Sequence, residues 1–187
     1  LDLRYNDLSG EIPEEICNQG DSTPLLDGNH LCPPYPECLS DSDIGSQDLS
    51  DCFDADDEGV VEIWGDYYSI EYTTILNPTG LSGEIPEAIC ELTNLEIIDL
   101  DYGNTLTGAI PSCIGNLTNL ISLDLSSNSL SGEIPSELGN LINLNTFDLG
   151  DNALSGEIPE EICNQGDSTP LLDGNHLCLP YPECLSD

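Results

Sequence analysis

Leucines recur about two dozen residues apart between Leu95 and Pro159, and no other feature restricts the chain as much. From Leu95 the sequence reads LEIIDLDYGNTLTGAIPSCIGNLTN, from Leu120 LISLDLSSNSLSGEIPSELGNLIN, and from Leu144 LNTFDLGDNALSGEIPEEIC. The opening leucines are 25 and then 24 residues apart. One such unit cannot bury its own apolar residues, so a fixed period implies similar coils stacked around a shared core. Within a unit, L-x-L, as in Leu123-Asp124-Leu125, reads as a short strand with leucines inward and the middle residue outward. Stacking turns these strands into a parallel sheet on the concave side. Asn6, Asn104, Asn128 and Asn152, with Asn29 and Asn175, fall where the chain leaves that strand. There an amide can satisfy turn backbone groups that no ladder reaches.

The chain also repeats on a longer scale. Residues 1–41 and 147–187 match at 36 of 41 positions, at an offset of 146. They differ only at Leu1/Phe147, Arg4/Gly150, Tyr5/Asp151, Asp7/Ala153 and Pro33/Leu179. Residues 1–41 therefore read as the C-terminal part of a preceding module, 42–69 as an acidic junction and N-terminal cap, and 70–162 as the regular coils. Residues 163–187 read as a degenerate repeat and C-terminal cap. Leu1 begins inside a repeat, so the chain is expected to be mature or a segment of something longer. In the junction, DSDIGSQDLSDCFDADDEG reads as a loop or cap edge. The following VVEIWGDYYSIEYTTIL reads as an amphipathic approach to the next column of strands, with Trp64 and the tyrosines covering the first leucines.

The wording LxxLxLxxNxLSGEIPxxIGNLTN resembles the plant-type leucine-rich repeat, a family that includes extracellular receptor domains and polygalacturonase-inhibiting proteins. The resemblance implies a right-handed α/β repeat solenoid with a parallel concave sheet. It further implies a short second strand at Gly132-Glu133-Ile134-Pro135, and convex 3₁₀ or helical segments such as SELGNL. It also implies recognition of a ligand by the concave face.

Nine cysteines without a CxxC pair point to an oxidising, extracellular setting and disulfide-stapled caps rather than a metal site. Superposing coils places Cys90 beside Cys113, Cys17 beside Cys38, and Cys163 beside Cys184, displaced alike on adjacent coils. Neighbouring coils lie near the Cα spacing a disulfide needs. Cys17–Cys38, Cys90–Cys113 and Cys163–Cys184 are therefore the expected bridges, with Cys32–Cys52 as a fourth and Cys178 left over. His30 and His176 each lie in a duplicated turn, where a polar surface role is the ordinary reading.

A single basic residue, Arg4, faces 37 Asp and Glu, for a formal charge of −36. Nucleic acid and anionic membrane are therefore poor partners, because both require Lys and Arg to replace counterions, and neither nucleic-acid binding nor membrane insertion is expected. No apolar run approaches the roughly 18 residues of a membrane span. Self-repulsion should make the fold sensitive to salt and divalent cations.

The outward residue of the L-D-L strand is Asp99, Asp124 and Asp148 in successive coils, with Asp2 in the first copy. Stacked carboxylates about 4.8 Å apart repel by roughly 1 kcal/mol per pair even at a water-like dielectric. They are screened by salt water, bind a hard cation such as calcium, or face a ligand. The candidate binding surface is Asp99, Asp124 and Asp148 with Ser122, Ser126 and Thr146, and its ligand is a protein or a carbohydrate. Glu11, Glu84, Glu133 and Glu157 form a second acidic series, more simply a solvated edge. Asp41, Asp43 and Asp48 open like a calcium loop but lack its terminal glutamate. Asn116-Leu117-Thr118 is a glycosylation sequon. There is no phosphate loop, HExxH or nucleophile elbow, so no enzyme is expected and no cofactor beyond possible calcium. Two functions compete: a secreted or surface array, stalk or filament built from copies joined end to end, and a binding module. The small, acidic concave positions lack aromatic and Arg anchors, and the sequence alone favours the array.

Overall fold

In a computed structural model of the 187-residue chain, the described residues are 1–18, 20, 24–45, 47, 49, 52–53, 58–101, 103–166 and 169–185. They form two compact units, Leu1–Tyr68 and Ser69–Asp187.

The second unit is a stack of coils. Ile75–Leu76, Ile97–Asp99, Ser122–Asp124 and Thr146–Asp148 form a four-stranded parallel sheet. Its register sets Ile98, Leu123 and Phe147 side by side, and Asp99, Asp124 and Asp148 likewise. A second parallel sheet runs through Ser82–Glu84, Thr105–Gly108, Ser129–Gly132, Ala153–Glu157 and His176–Cys178. Each coil then turns through a 3₁₀ helix, as at Ser112–Asn116 and Ser136–Asn140, directly after Pro111 and Pro135. Proline suits this place because its fixed φ ends the strand and its missing N–H has no ladder partner to lose.

The core is the column of residues that the period predicts. Ile98, Leu100, Leu106, Ile114, Leu120, Leu123, Leu125, Leu130 and Leu138 have essentially no solvent exposure. Burying each contributes about 1.5–3 kcal/mol. The asparagine column lines the turn as expected. Asn128 accepts a hydrogen bond on Oδ1 from the Leu106 N–H of the preceding coil (2.9 Å). Its Nδ2 donates to the carbonyls of Leu100 (2.8 Å) and Ser126 (2.9 Å). Asn104, Asn152 and Asn175 repeat the arrangement. A second, exposed asparagine ladder had no place in the sequence reading. Asn94, Asn119 and Asn143 each donate to a carbonyl one coil back, at Glu71, Thr93 and Thr118.

Two glycines show how tightly coils stack. A Cβ on Gly115 would lie 2.2 Å from the Glu137 carbonyl oxygen, and one on Gly139 at the same distance from that of Glu161. The same place in the coil is cysteine at Cys90 and Cys163. There the next coil offers Cys113 and Cys184, and a disulfide fills the gap. Four disulfides are present, Cys17–Cys38, Cys32–Cys52, Cys90–Cys113 and Cys163–Cys184, with Cα separations of 5.8, 5.3, 5.9 and 5.8 Å. Cys17–Cys38, Cys90–Cys113 and Cys163–Cys184 are the pairs that coil stacking specifies, and Cys32–Cys52 is the fourth expected bridge.

In the first unit Ser9–Glu11 pairs in parallel with His30–Cys32. Ile12, Leu26 and Leu31 form its core, with Leu3, Ile16, Tyr35 and Leu39 packed against it. Within the segment expected as an acidic loop, one residue continues the ladder of the coil before it. Gln47 bridges to Asn29 and takes the asparagine's role. Its Oε1 accepts the Leu31 N–H (3.1 Å), and its Nε2 donates to the carbonyls of Leu26 (2.9 Å) and Ile44 (2.6 Å). Glutamine carries the same amide on a longer stem, so the ladder survives although the letter changes. Further on, Val60–Ile63 and Asp66–Ser69 form a two-stranded sheet. The turn between them, Trp64-Gly65, has both φ angles positive (53° and 96°), a hairpin geometry that matches strand twist.

Candidate functional site

The acidic column lies on the open face of the four-stranded sheet. Each aspartate also holds its own turn. Asp124 Oδ1 accepts the Ser126 N–H (3.0 Å), and Asp148 Oδ1 accepts the Gly150 N–H (2.8 Å). A carboxylate two residues before a free N–H is an ordinary turn device, which explains why aspartate recurs despite the repulsion. One oxygen of each is committed to the backbone.

The register brings part of the expected surface together. Ser122 lies beside Thr146, with Ile97 on its other side, so this column is polar only in its later coils. Ser126 is half-buried, its N–H held by Asp124, and Thr146 is exposed. Asp101 joins Asp99 and Asp124: one carboxylate oxygen from each lies within 4.8 Å of the others. Sequence reasoning missed Asp101, although the extra residue that makes its coil 25 long lies in the same turn. Burial raises the Asp99 carboxyl above its usual range, reinforced by a hydrogen bond and charge from Asp101 and by the charge of Asp124. Asp148 is raised too, chiefly by burial and then by Asp124, Asp173 and Asp151, while the Gly150 N–H pulls the other way.

The remaining candidates are dispersed. Asp43 sits at the start of the short helix Asp41–Ile44, and its Oδ2 accepts both the N–H (2.9 Å) and the hydroxyl (2.6 Å) of Ser40. The carboxylate reaching back to the N–H before the helix is one half of a capping box, and those bonds hold the Asp43 carboxyl below its ordinary range. Asp48 and the Asp41 side chain lie outside the described residues. Asn116 is exposed at the end of its 3₁₀ helix. Among the described residues no helix is long and apolar enough to cross a membrane.

Parallel strands one per coil, an asparagine ladder and 3₁₀ turns define a leucine-rich-repeat solenoid. The Leucine Rich Repeat family profile matches residues 1–19, 94–117, 119–141 and 143–165. In the BIR3–SERK2 complex from Arabidopsis thaliana, a similar chain is 35% identical, over 69% of this chain and 69% of that one, with a TM-score of 0.53. The chain belongs to the leucine-rich-repeat family. It is also similar to a TDR receptor (30% identity, 98% of this chain, 32% of that one, TM-score 0.58). A plant ice-binding protein is 26% identical over 95% of this chain and 42% of its own, with a TM-score of 0.52. The chain thus spans about a third and two fifths of the latter two. No curated protein sequence matches it.

Proposed function

We propose that the chain is a non-enzymatic extracellular recognition module that binds a cationic protein or peptide on the face carrying Asp99, Asp101, Asp124 and Asp148. The observation that carries this reading is the convergence of Asp99, Asp101 and Asp124, with carboxylate oxygens within 4.8 Å, in a fold similar to that of a receptor kinase solved in complex with a peptide hormone. Three like charges so close favour any ligand that brings positive charge, and the net charge of −36 steers such a ligand from a distance. A hydroxyl-rich carbohydrate is the weaker candidate, because the outward positions 97, 99, 122, 124, 146 and 148 carry no aromatic ring for a sugar to stack on, and Phe147 is buried. Calcium is the small-ion counterpart: hard carboxylate oxygens from Asp99, Asp101 and Asp124 suit it.

The test is a binding titration of an oligolysine peptide against the native chain and an Asp99→Asn/Asp124→Asn variant. We expect saturable, salt-sensitive binding that weakens at least about tenfold in the variant, a loss of about 1.4 kcal/mol. Equal binding by both would refute the site. Calcium added during thermal melting should raise the midpoint of the native chain more than that of the variant.

The structural array is the second reading, and the 36-of-41 duplication favours it. Electron microscopy of native material separates the two: uniform fibres support the array, discrete short arcs the recognition module.

A further inference from the structure

The face that carries Asp99 and Asp124 also holds an apolar patch that the repeat does not require. Along the four-stranded sheet, the outward position two residues before the acidic column is Ile75, Ile97, Ser122 and Thr146, in register. Ser122 and Thr146 show that the sheet forms with small hydroxyl side chains at this place. Ile75 is nonetheless 42% exposed, and Ile97 is half-buried. Ile121, just before the strand Ser122–Asp124, is 38% exposed, and its N–H donates to the Glu96 carbonyl (2.8 Å), next to Ile97. A β-branched pair across strands favours a sheet, but threonine would serve as well, and Ile121 lies outside its strand. Isoleucines grouped on an open face mark a contact surface.

The patch adjoins charge. Ile97 and Asp99 face the same way on one strand, two residues or about 6.6 Å apart. Asp101 and Asp124 bring their carboxylates to Asp99. An extended peptide has the same side-chain repeat, so its residues i and i+2 can lie over the apolar patch and the acidic trio together. We propose that the occupant of this face is an extended peptide in which a bulky aliphatic residue stands two places from a lysine or arginine. The aliphatic side chain covers Ile75, Ile97 and Ile121, and the cation sits among Asp99, Asp101 and Asp124. This inference rests on the recognition reading above. It adds what charge alone does not supply, selection among cationic peptides by one apolar position. A second copy of the chain does not suit the face, since it would bring a net charge of −36 against the same charge.

The test uses two labelled peptides of equal charge, Ser-Lys-Ser-Leu-Ser-Lys-Ser and the same peptide with alanine in place of leucine. The leucine stands two places from a lysine on each side, so the peptide fits whichever way it runs. Anisotropy titration of the whole chain should show the leucine peptide binding at least about fivefold more tightly, through the apolar surface it covers. That preference should persist at raised salt, where both peptides lose their electrostatic share. In an Ile75→Thr/Ile97→Ser variant, which copies the residues at Thr146 and Ser122, the preference should be lost while oligolysine binds as it does to the native chain. Ile121→Asn, which copies Asn145, is a second variant that should lower the preference without touching the strands.

Equal binding of the leucine and alanine peptides by the native chain would overturn the proposal, and so would a preference that survives in both variants. Oligolysine separates this failure from that of the recognition reading. If it still binds more weakly to the Asp99→Asn/Asp124→Asn variant, the acidic site stands and only the apolar half falls. If it binds native chain and variant alike, both fall. Sedimentation showing a native dimer that Ile97→Ser dissociates would make a second copy the occupant and would also overturn the proposal.

Discussion

Leu8 and Leu154 hold the same place in identical sequence, yet Leu8 is 40% exposed and Leu154 is fully buried. Ser9–Glu11 pairs with one neighbouring strand, whereas Ala153–Glu157 lies between Ser129–Gly132 on one side and His176–Cys178 on the other. The aspartates differ in the same way. Asp2, beside Arg4, has its carboxyl lowered to about 2, first by the guanidinium's hydrogen bonds. Asp148, its counterpart, is raised, because Gly150 replaces the arginine and burial and other carboxylates replace the ion pair. In a stacked protein the residue states a capacity, and the adjacent coil decides what becomes of it.

Paired substitutions in the two copies can break that comparison. The largest contrast is expected from Leu154→Ala, which should lose about 2–5 kcal/mol through lost burial and a cavity. Leu8→Ala should lose about 1 kcal/mol or less. Urea denaturation of each variant measures both, and equal losses would mean that burial in this stack is not set by the neighbour. Next comes Asn152→Ala. It leaves the buried Leu130 N–H without its acceptor and takes one of two donors from each of the carbonyls at Leu125, Leu149 and Gly150, which keep Asn128, Asn175 and the Ser127 N–H, and should lose about 1–3 kcal/mol. Asn6 donates only to the exposed turn at Leu3 and Arg4, and Asn6→Ala should fall within about 0.5 kcal/mol of the parent.

The smallest contrast is one of sign. A carboxyl raised in the fold holds its proton more tightly than in the unfolded chain. Its favourable contribution is therefore present at low pH and lost as pH rises from about 3.8 through the folded value. Asp148→Asn should accordingly raise the melting midpoint by a degree or so at neutral pH and low salt, and leave it unchanged near pH 3. Asp2 is depressed, so its contribution is present above about 3.8 and lost as pH falls through about 2. Asp2→Asn should lower the midpoint slightly at neutral pH. Carboxyl NMR titration reads the two directions separately.

Much of this arrangement was legible in the letters. A strict period places Leu123 over Ile98 and Phe147 over Leu123, and once coils superpose, the asparagine ladder and three of the four cysteine pairs follow from spacing, Cys32–Cys52 being what remains once those are paired. What stayed hidden depended on substitution or surroundings. Gln47 does an asparagine's work, so a search for Asn did not extend the ladder past Asn29. Asp101 reaches Asp99 and Asp124 in a turn lengthened by one residue. The opposite behaviour of Asp2 and Asp148 depends on the partners around each, which a repeat pattern does not encode.

Hydrogen exchange offers the sharpest trial, because residues 8–16 and 154–162 yield one and the same peptide, LSGEIPEEI. If adjacent coils confer protection, that peptide will show two isotope envelopes of equal intensity, the slower from the strand held on both sides. A single envelope at every exchange time would mean that each coil carries its own stability, and the stacking account would fail.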